Sequence, residues 1–422
     1  MRKKTVFLIF GAVCLSLFSS AAIGFNSRSI QTVKRDSERS YSTGVQKNEV
    51  LDSFDNKRNK VISITNGFDG LLTNEEKILY KKIKSSCNSI SNKRLSTGLY
   101  SIPPVNVSGG CLSLEQIKKV LHALQNDNPE IFWISKTFSC VYSEDKMNIV
   151  KFYSIFSKSE KNACEIKLKN KISEIISKIP ENSDDYEKEL FLHNYIIDNC
   201  SYKNVSGNPK IFTSYGCLID RTAVCEGYSK AMQILLCNCG IECKTVTGIG
   251  NGEPHMWNIV KIGGDWYHLD VTWDAADQNS RYMYFNVDDK TIKKNHSIGE
   301  RFQSSGSLRS NKMYNFDLPK CTAKKYNYYE RNSVKISNYN CDERMIDYIK
   351  KSAKLKREYF YFKLDENLSM EMFKNRVFLP KIFGFISKAN GSLKNGLKIG
   401  SKSLYYSVCS NQNVLFVRVN YI

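Results

Sequence analysis

The chain has 422 residues, 41% of them hydrophobic and 25% charged, with a formal net charge of +20. This excludes a chain too polar or too short to bury a core, and two or three modules are expected. The positive balance favours anionic surfaces such as wall polymers or lipid headgroups, and the absence of any nucleic-acid motif argues against nucleic acid as a partner.

Residues 1–24 read as a secretory signal: Arg2, Lys3 and Lys4, an apolar run from about Val6 to Phe18, then small residues at Ser19 to Ala22. An uncleaved anchor is the alternative, because the apolar stretch can be counted as far as Phe25. Cys14 follows Gly11-Ala12-Val13 and lacks the leucine expected ahead of a lipid-modified cysteine. The protein is therefore expected to be secreted or held at the cell surface, with a charge of +17 once the three signal charges leave. Of the 14 cysteines, removing Cys14 and one free thiol leaves 12, enough for at most six disulfides in an order that spacing does not give.

Residues 25–60 are polar, charged and aperiodic, the composition of a disordered linker. An α+β module is expected over 61–180. In it "TNEEKILYKKIKSS" has helical spacing, "GLYSIPPV" is extended, and "SLEQIKKVLHAL" opens with Ser113 and Gln116 in capping-box positions. "TFSCVYS" and "MNIVKFYSIF" read as strands around the turn "EDK", and helices are predicted over Lys161–Ile179 and Tyr186–Asp198. A core module is assigned to 181–295, and the remainder, 296–422, to an α+β, β-rich segment with a basic helix in "MIDYIKKSAKLKREY". "HSIGERFQSSGSLRSNKM" reads as a loop. Lys350 to Arg357, with the aromatics Tyr359 to Phe362, mimics a basic-aromatic nucleic-acid patch but fits a solvated helix face followed by a core strand.

Within the core module, "DRTAVCEGYSKAMQILLCNCG" places Val224, Tyr228, Met232 and Leu235 or Leu236 on one helical face, with Gly240 as the stop. With Thr222 as N-cap, Cys225 falls in the first turn, where the positive end of the helix dipole favours a thiolate. Gly227 costs a helix about 1 kcal/mol, and lets a substrate backbone approach closely. Two β-rich runs in "EPHMWNIVKIGGDWYHLDVTWD" flank Gly263-Gly264, a two-residue hairpin signal. Setting Ile262 opposite Asp265 puts His255 opposite Thr272, Trp257 opposite Asp270 and Ile259 opposite His268. His255 and Asp270 then share one face as diagonal neighbours. Cysteine, histidine and carboxylate are the attacker, base and orienter of an activated-nucleophile site.

"AVCEGYSKAMQILLCNCGIECKTVTG", "HMWNIV" and "WYHLDVTWD" resemble, in order and at spacings of 30 and 15 residues, the three blocks of the bacterial transglutaminase-like superfamily. The resemblance covers about Tyr186 to Asp289 and implies an α+β, papain-like fold, a nucleophile helix packed on an antiparallel sheet. It implies Cys225 as nucleophile, His255 as general base, Asp270 as its orienting partner, and an oxyanion site including the Cys225 backbone N–H. One departure is that no tryptophan lies between Trp133 and Cys225 to serve as the oxyanion donor of the eukaryotic enzymes; Tyr215 and Tyr202 are the nearby substitutes. Animal-type cross-linking and a calcium requirement are therefore not implied.

The expected activity is acyl transfer through a Cys225 thioester, ending in deamidation, proteolysis or a cross-link, on a protein or peptide substrate and with no organic cofactor or metal. Cys237, Cys239 and Cys243 have the wrong spacing for common zinc sites. His268 is the runner-up base, assigned a packing or hydrogen-bonding role, and Glu226 and Glu253 are expected to be exposed. The competing reading is a non-catalytic surface-binding module that uses the same fold.

Overall fold

The computed structural model describes residues 4–9, 61–107, 112–143, 146–276, 281–299, 301–302, 311–400 and 404–422. The expected linker 25–60, the turn at 144–145 and most of the signal segment lie outside them.

Three antiparallel or mixed sheets carry the fold. The first takes β1 (Lys4–Ile9) and packs against helices α1 (Asn74–Ser86) and α2 (Leu114–Asp127), together with β2 (Tyr100–Ser101), β3 (Val105–Asn106), β4 (Ile134–Ser143) and β5 (Lys146–Ser154), in the order β1-β4-β5-β2 with β3 also on β5. Capping boxes start α1 at Thr73 and α2 at Ser113, where Ser113 Oγ accepts the Gln116 N–H. Helices α3 (Lys158–Ser177) and α4 (Asp185–Asn199) follow, each within a few residues of the span its periodicity predicts.

The second sheet is the centre of the molecule. Short parallel strands β6 (Ser201–Tyr202) and β7 (Thr222–Ala223) lead into helix α5 (Cys225–Asn238), which packs on β8 (Cys243–Gly250) and β9 (Glu253–Ile262). The strand β10 (Asp265–Leu269) follows β9, and α6 (Val271–Ala276) follows β10. The predicted register holds, Asp265↔Ile262 and His268↔Ile259, around a turn in which Gly263 and Gly264 both adopt positive φ. It ends at Leu269: Asp270 leaves the strand and Thr272 enters α6, so the expected pairing of Thr272 with His255 does not form. The stretch read as a loop after Asn295 instead begins with β11 (His296–Ile298), which pairs with β8 and completes the order β10-β9-β8-β11.

Leu71, Phe138, Leu192, Leu235, Leu269 and Phe316 belong to one continuous apolar core. A separate core begins near Val334. It contains β12 (Val334–Ile336), α7 (Asp342–Lys354), β13 (Tyr359–Leu364), β14 (Tyr405–Cys409) and β15 (Val414–Arg418), in the sheet order β12-β13-β15-β14. Between β13 and β14 the chain is helical, not β-rich: α-helix over Met370–Phe373, a π turn over Lys374–Phe378 and α-helix again over Leu379–Asn390. The π turn shifts the helical register within this run, and Pro380 reads as a breaker along the sequence. Phe360 and Phe362 are buried in β13, as a core strand after a solvated helix requires. Among the described residues no helix is long and apolar enough to cross a membrane, and the twelve described cysteines are free thiols, eleven of them buried.

Candidate active site

Helix α5 begins with Val224 as N-cap, not Thr222, because Thr222 and Ala223 are held in β7. Cys225 is thus the first helical residue, and Val224 supplies no capping side chain to compete for the first-turn N–H groups. The Cys225 side chain packs in a small apolar cluster with Ile211, Val224, Met256 and Phe212 and is 1% exposed. Gly227 serves the chain's own backbone, not a substrate's. A Cβ there would meet Ile211 O at 2.5 Å and the Ala223 Cβ at 2.7 Å, so the glycine lets the segment before β7 lie against the helix.

His255 stands near the start of β9, also buried, and its Nε2 lies 2.8 Å from Asp270 Oδ2. It also bonds the Cys225 thiol. The three residues singled out in the sequence therefore meet in one chain of contacts. Asp270 is fixed by its backbone role: leaving the strand, it caps α6, its Oδ1 accepting the N–H groups of Thr272 (3.0 Å) and Trp273 (3.2 Å). Burial disfavours the carboxylate, but His255 and then His296 outweigh it and hold Asp270 well below the usual carboxylate range. Burial likewise works against a charged His255, and the Asp270 charge and hydrogen bond, with Cys225, lift its pKa to about 10.

The residue that sequence reasoning missed is His296. From β11 its Nε2 reaches Asp270 Oδ2 at 3.1 Å and its Nδ1 faces Asn295 Oδ1 at 2.8 Å. The rings of Trp273 (4.2 Å), Trp257 (5.1 Å) and Tyr284 (5.2 Å) enclose it. Trp273 also covers His255 at 5.4 Å. A three-residue strand is too short to show alternation, and the only signal was a histidine in a chain that has five.

His268 has partners of its own. Trp257 donates its indole N–H to His268 Nδ1 (3.0 Å), so the proton sits on Nε2 and is shared with Asp289 Oδ1 at 2.9 Å. His268, Asp289 and Cys321 bring ligand atoms within 4.8 Å of one another, as His255, Asp270 and His296 do. A metal on His268 Nε2 would have to displace that proton while the other nitrogen accepts rather than donates, the reverse of the usual ligand histidine. Hydrogen bonding is thus the role of His268, in line with the sequence reading.

Glu253 is exposed, but Glu226 is not. It is buried between Lys136 of β4 and Lys230 of α5, bonding both, the latter at 2.7 Å. These lysines overcome the burial and hold its carboxyl at about 2. The N-terminal sheet is in this way tied to the residue next to Cys225. A cavity of about 160 Å³ lies beside the pair, lined by Lys136, Lys230, Phe212 and Gln125. Tyr215 stacks on Phe132 at 5.1 Å in the main core, whereas Tyr202 is level with Ala223 in the β6–β7 pair, two residues before Cys225. Cys237, Cys239 and Cys243 are buried in the main core.

Residues 174–271 match the model of the transglutaminase-like superfamily. This interval contains Cys225, His255 and Asp270 and ends before His296. The kyphoscoliosis peptidase of Mus musculus is 24% identical over 138 residues, 29% of this chain and 21% of that protein, so the chain spans about a fifth of that relative's length. Among solved structures, a TGase is similar over 30% of this chain and 41% of its own, at 16% identity and a TM-score of 0.23.

Proposed function

Residues 174–271 carry a transglutaminase-like core, and on that premise we propose that this protein is an exported cysteine enzyme that performs acyl transfer on a protein or peptide. One observation carries the reading: the contact chain from Cys225 through His255 to Asp270, with His255 2.8 Å from the carboxylate. His255 takes the thiol proton and the sulfur attacks a carboxamide or peptide carbonyl. The charge that develops on the carbonyl oxygen is held by N–H groups of the first turn of α5, including that of Cys225. The imidazolium returns its proton to the leaving nitrogen, releasing ammonia or an amine and leaving a thioester. His255 then deprotonates water, giving deamidation or proteolysis, or an amine, giving a cross-link. Export rests on the composition of residues 1–24.

The test is incubation with a labelled primary amine and candidate surface proteins, followed by mass spectrometry for amine incorporation, deamidation or cleavage. Each product selects one acceptor. Activity that survives in Cys225→Ala would sink the Cys225 thioester, and absence of all three products would leave a binding module.

A further inference from the structure

Two thiols of the main core meet beside α5. Cys200 caps the end of α4, Cys217 stands in the short helix Ser214–Leu218, and their side chains hydrogen-bond one another. Residues 201–216, between them, form the segment that covers Cys225. Ile211 and Phe212 pack over its side chain, and the Ile211 carbonyl accepts the Val224 N–H at 3.1 Å. Both thiols are tied to this cover. Next to Cys217, a Cβ on Gly216 would meet Lys210 O at 2.2 Å, so the short helix lies directly against the turn Pro209–Phe212 that carries Ile211. At the other end the Cys200 carbonyl accepts the Tyr228 hydroxyl of α5 at 2.8 Å, and Ser201 is level with Thr222 in the β6–β7 pair.

The two sulfurs differ in the way that thiol–disulfide exchange uses. The hydrogen bond from Cys217 favours a Cys200 thiolate, outweighs the burial that opposes it and is joined by one from Tyr228, so Cys200 is held below an ordinary thiol. Burial, and then Cys200, pushes the Cys217 thiol up. Cys200 is 9% exposed against 2% for Cys217, and it adjoins the exposed stretch 201–207. Cys200 is thus placed as the attacking thiol and Cys217 as the resolving one.

We propose that Cys200 and Cys217 are a redox-sensitive pair whose disulfide fastens both ends of the segment covering Cys225. The oxidant is a small-molecule disulfide. The Cys200 thiolate attacks one of its sulfurs, expelling a first small thiolate and leaving a mixed disulfide on the protein. Cys217 then loses its proton and attacks the Cys200 sulfur, expelling the second. Two protein thiols are oxidised by two electrons, and the small disulfide is reduced to two thiols that take up the two protons. Reagents reach Cys225 only when its cover lifts, and closing a loop through the ends of that cover removes open conformations the reduced chain can adopt. The disulfide therefore slows attack on Cys225, and reduction restores it, whatever reaction Cys225 carries out.

The experiment treats the full-length chain with oxidised or reduced glutathione, then with iodoacetamide at neutral pH, and reads unreduced tryptic peptides by mass spectrometry. In the oxidised sample peptides 189–203 and 211–221 are expected as one species, lighter by two hydrogens than their sum. Alkylation of Cys225 should slow about tenfold in that sample. In Cys200→Ala/Cys217→Ala the oxidant should leave that rate unchanged, and Cys217→Ala alone should accumulate glutathione on Cys200. Absence of the linked species from the folded parent overturns the proposal, as does its formation with no change at Cys225. Loss of Cys225 labelling in the oxidised double variant would place the effect on Cys225 itself and overturns it too. If the variants do not fold, the parent's two readouts decide between these outcomes.

Discussion

His296 donates to the same carboxylate oxygen of Asp270 that His255 reaches, at 3.1 Å against 2.8 Å, from a strand on the far edge of the sheet. Two imidazoles thus hold one carboxylate, whose second oxygen is occupied by the start of α6. Asp270 has little freedom left to rotate. His296 acts on the proposed chemistry through Asp270, as a positioning residue.

His296→Ala is expected to slow alkylation of Cys225 by iodoacetamide at neutral pH about tenfold, the effect of losing one charge-assisted hydrogen bond. His296→Gln, which keeps a donor, should recover most of the rate. Equal rates in the three proteins would assign His296 to packing alone.

Stability should peak between the titrations of two histidines. Burial drives His193 down to about 3, so between its unfolded value near 6.5 and that figure the unfolded chain binds a proton that the native state refuses. Stability therefore falls as pH drops below about 6.5. His255 is raised to about 10, so its contribution is complete below about 6.5 and is lost as pH climbs toward that value. Denaturant melts across pH should show both limbs. Asp270→Asn should flatten the alkaline one, since it removes the charge that raises His255.

Gly227→Ala sets two effects against each other. Alanine favours a helix by about 1 kcal/mol. Against that, the new Cβ would lie 2.5 Å from the Ile211 carbonyl, a backbone atom that cannot swing away. Overpacking of this kind costs about 1–3 kcal/mol or more. A net loss of stability is expected, read as a lower midpoint in urea; a higher midpoint would mean that the segment before β7 is free to move.

Glu226→Gln leaves the buried Lys230 and the half-buried Lys136 without their counter-charge. The expected loss is about 3–5 kcal/mol. Glu226→Met with both lysines also changed to Met removes all three charges and should recover much of it. If the single variant melts like the parent, water reaches this seam and the ion pairs contribute little.

The local periods were decisive where an element has one buried face. The capping box at Ser113, the stripe Val224-Tyr228-Met232 and the parity of the Gly263-Gly264 hairpin could all be read along the chain, because each depends on residues within a few positions. Those signals were enough to put His255 and Asp270 on one face and Cys225 at a helix start. The sequence could not say that β10 stops at Leu269 so that Asp270 becomes a helix cap, since the capping N–H groups belong to a helix whose start is set by packing. Nor could it reveal His296, 26 residues from Asp270, or Lys136, 90 residues from Glu226. The Met370–Asn390 run stayed hidden because a π turn shifts its helical register partway and Pro380 reads as a breaker along the sequence. Sequence by itself determined which residues to single out, and on which side of a regular element they stand. Tertiary structure decided which of them share a proton, a carboxylate or a charge, because burial and long-range contact set those energies.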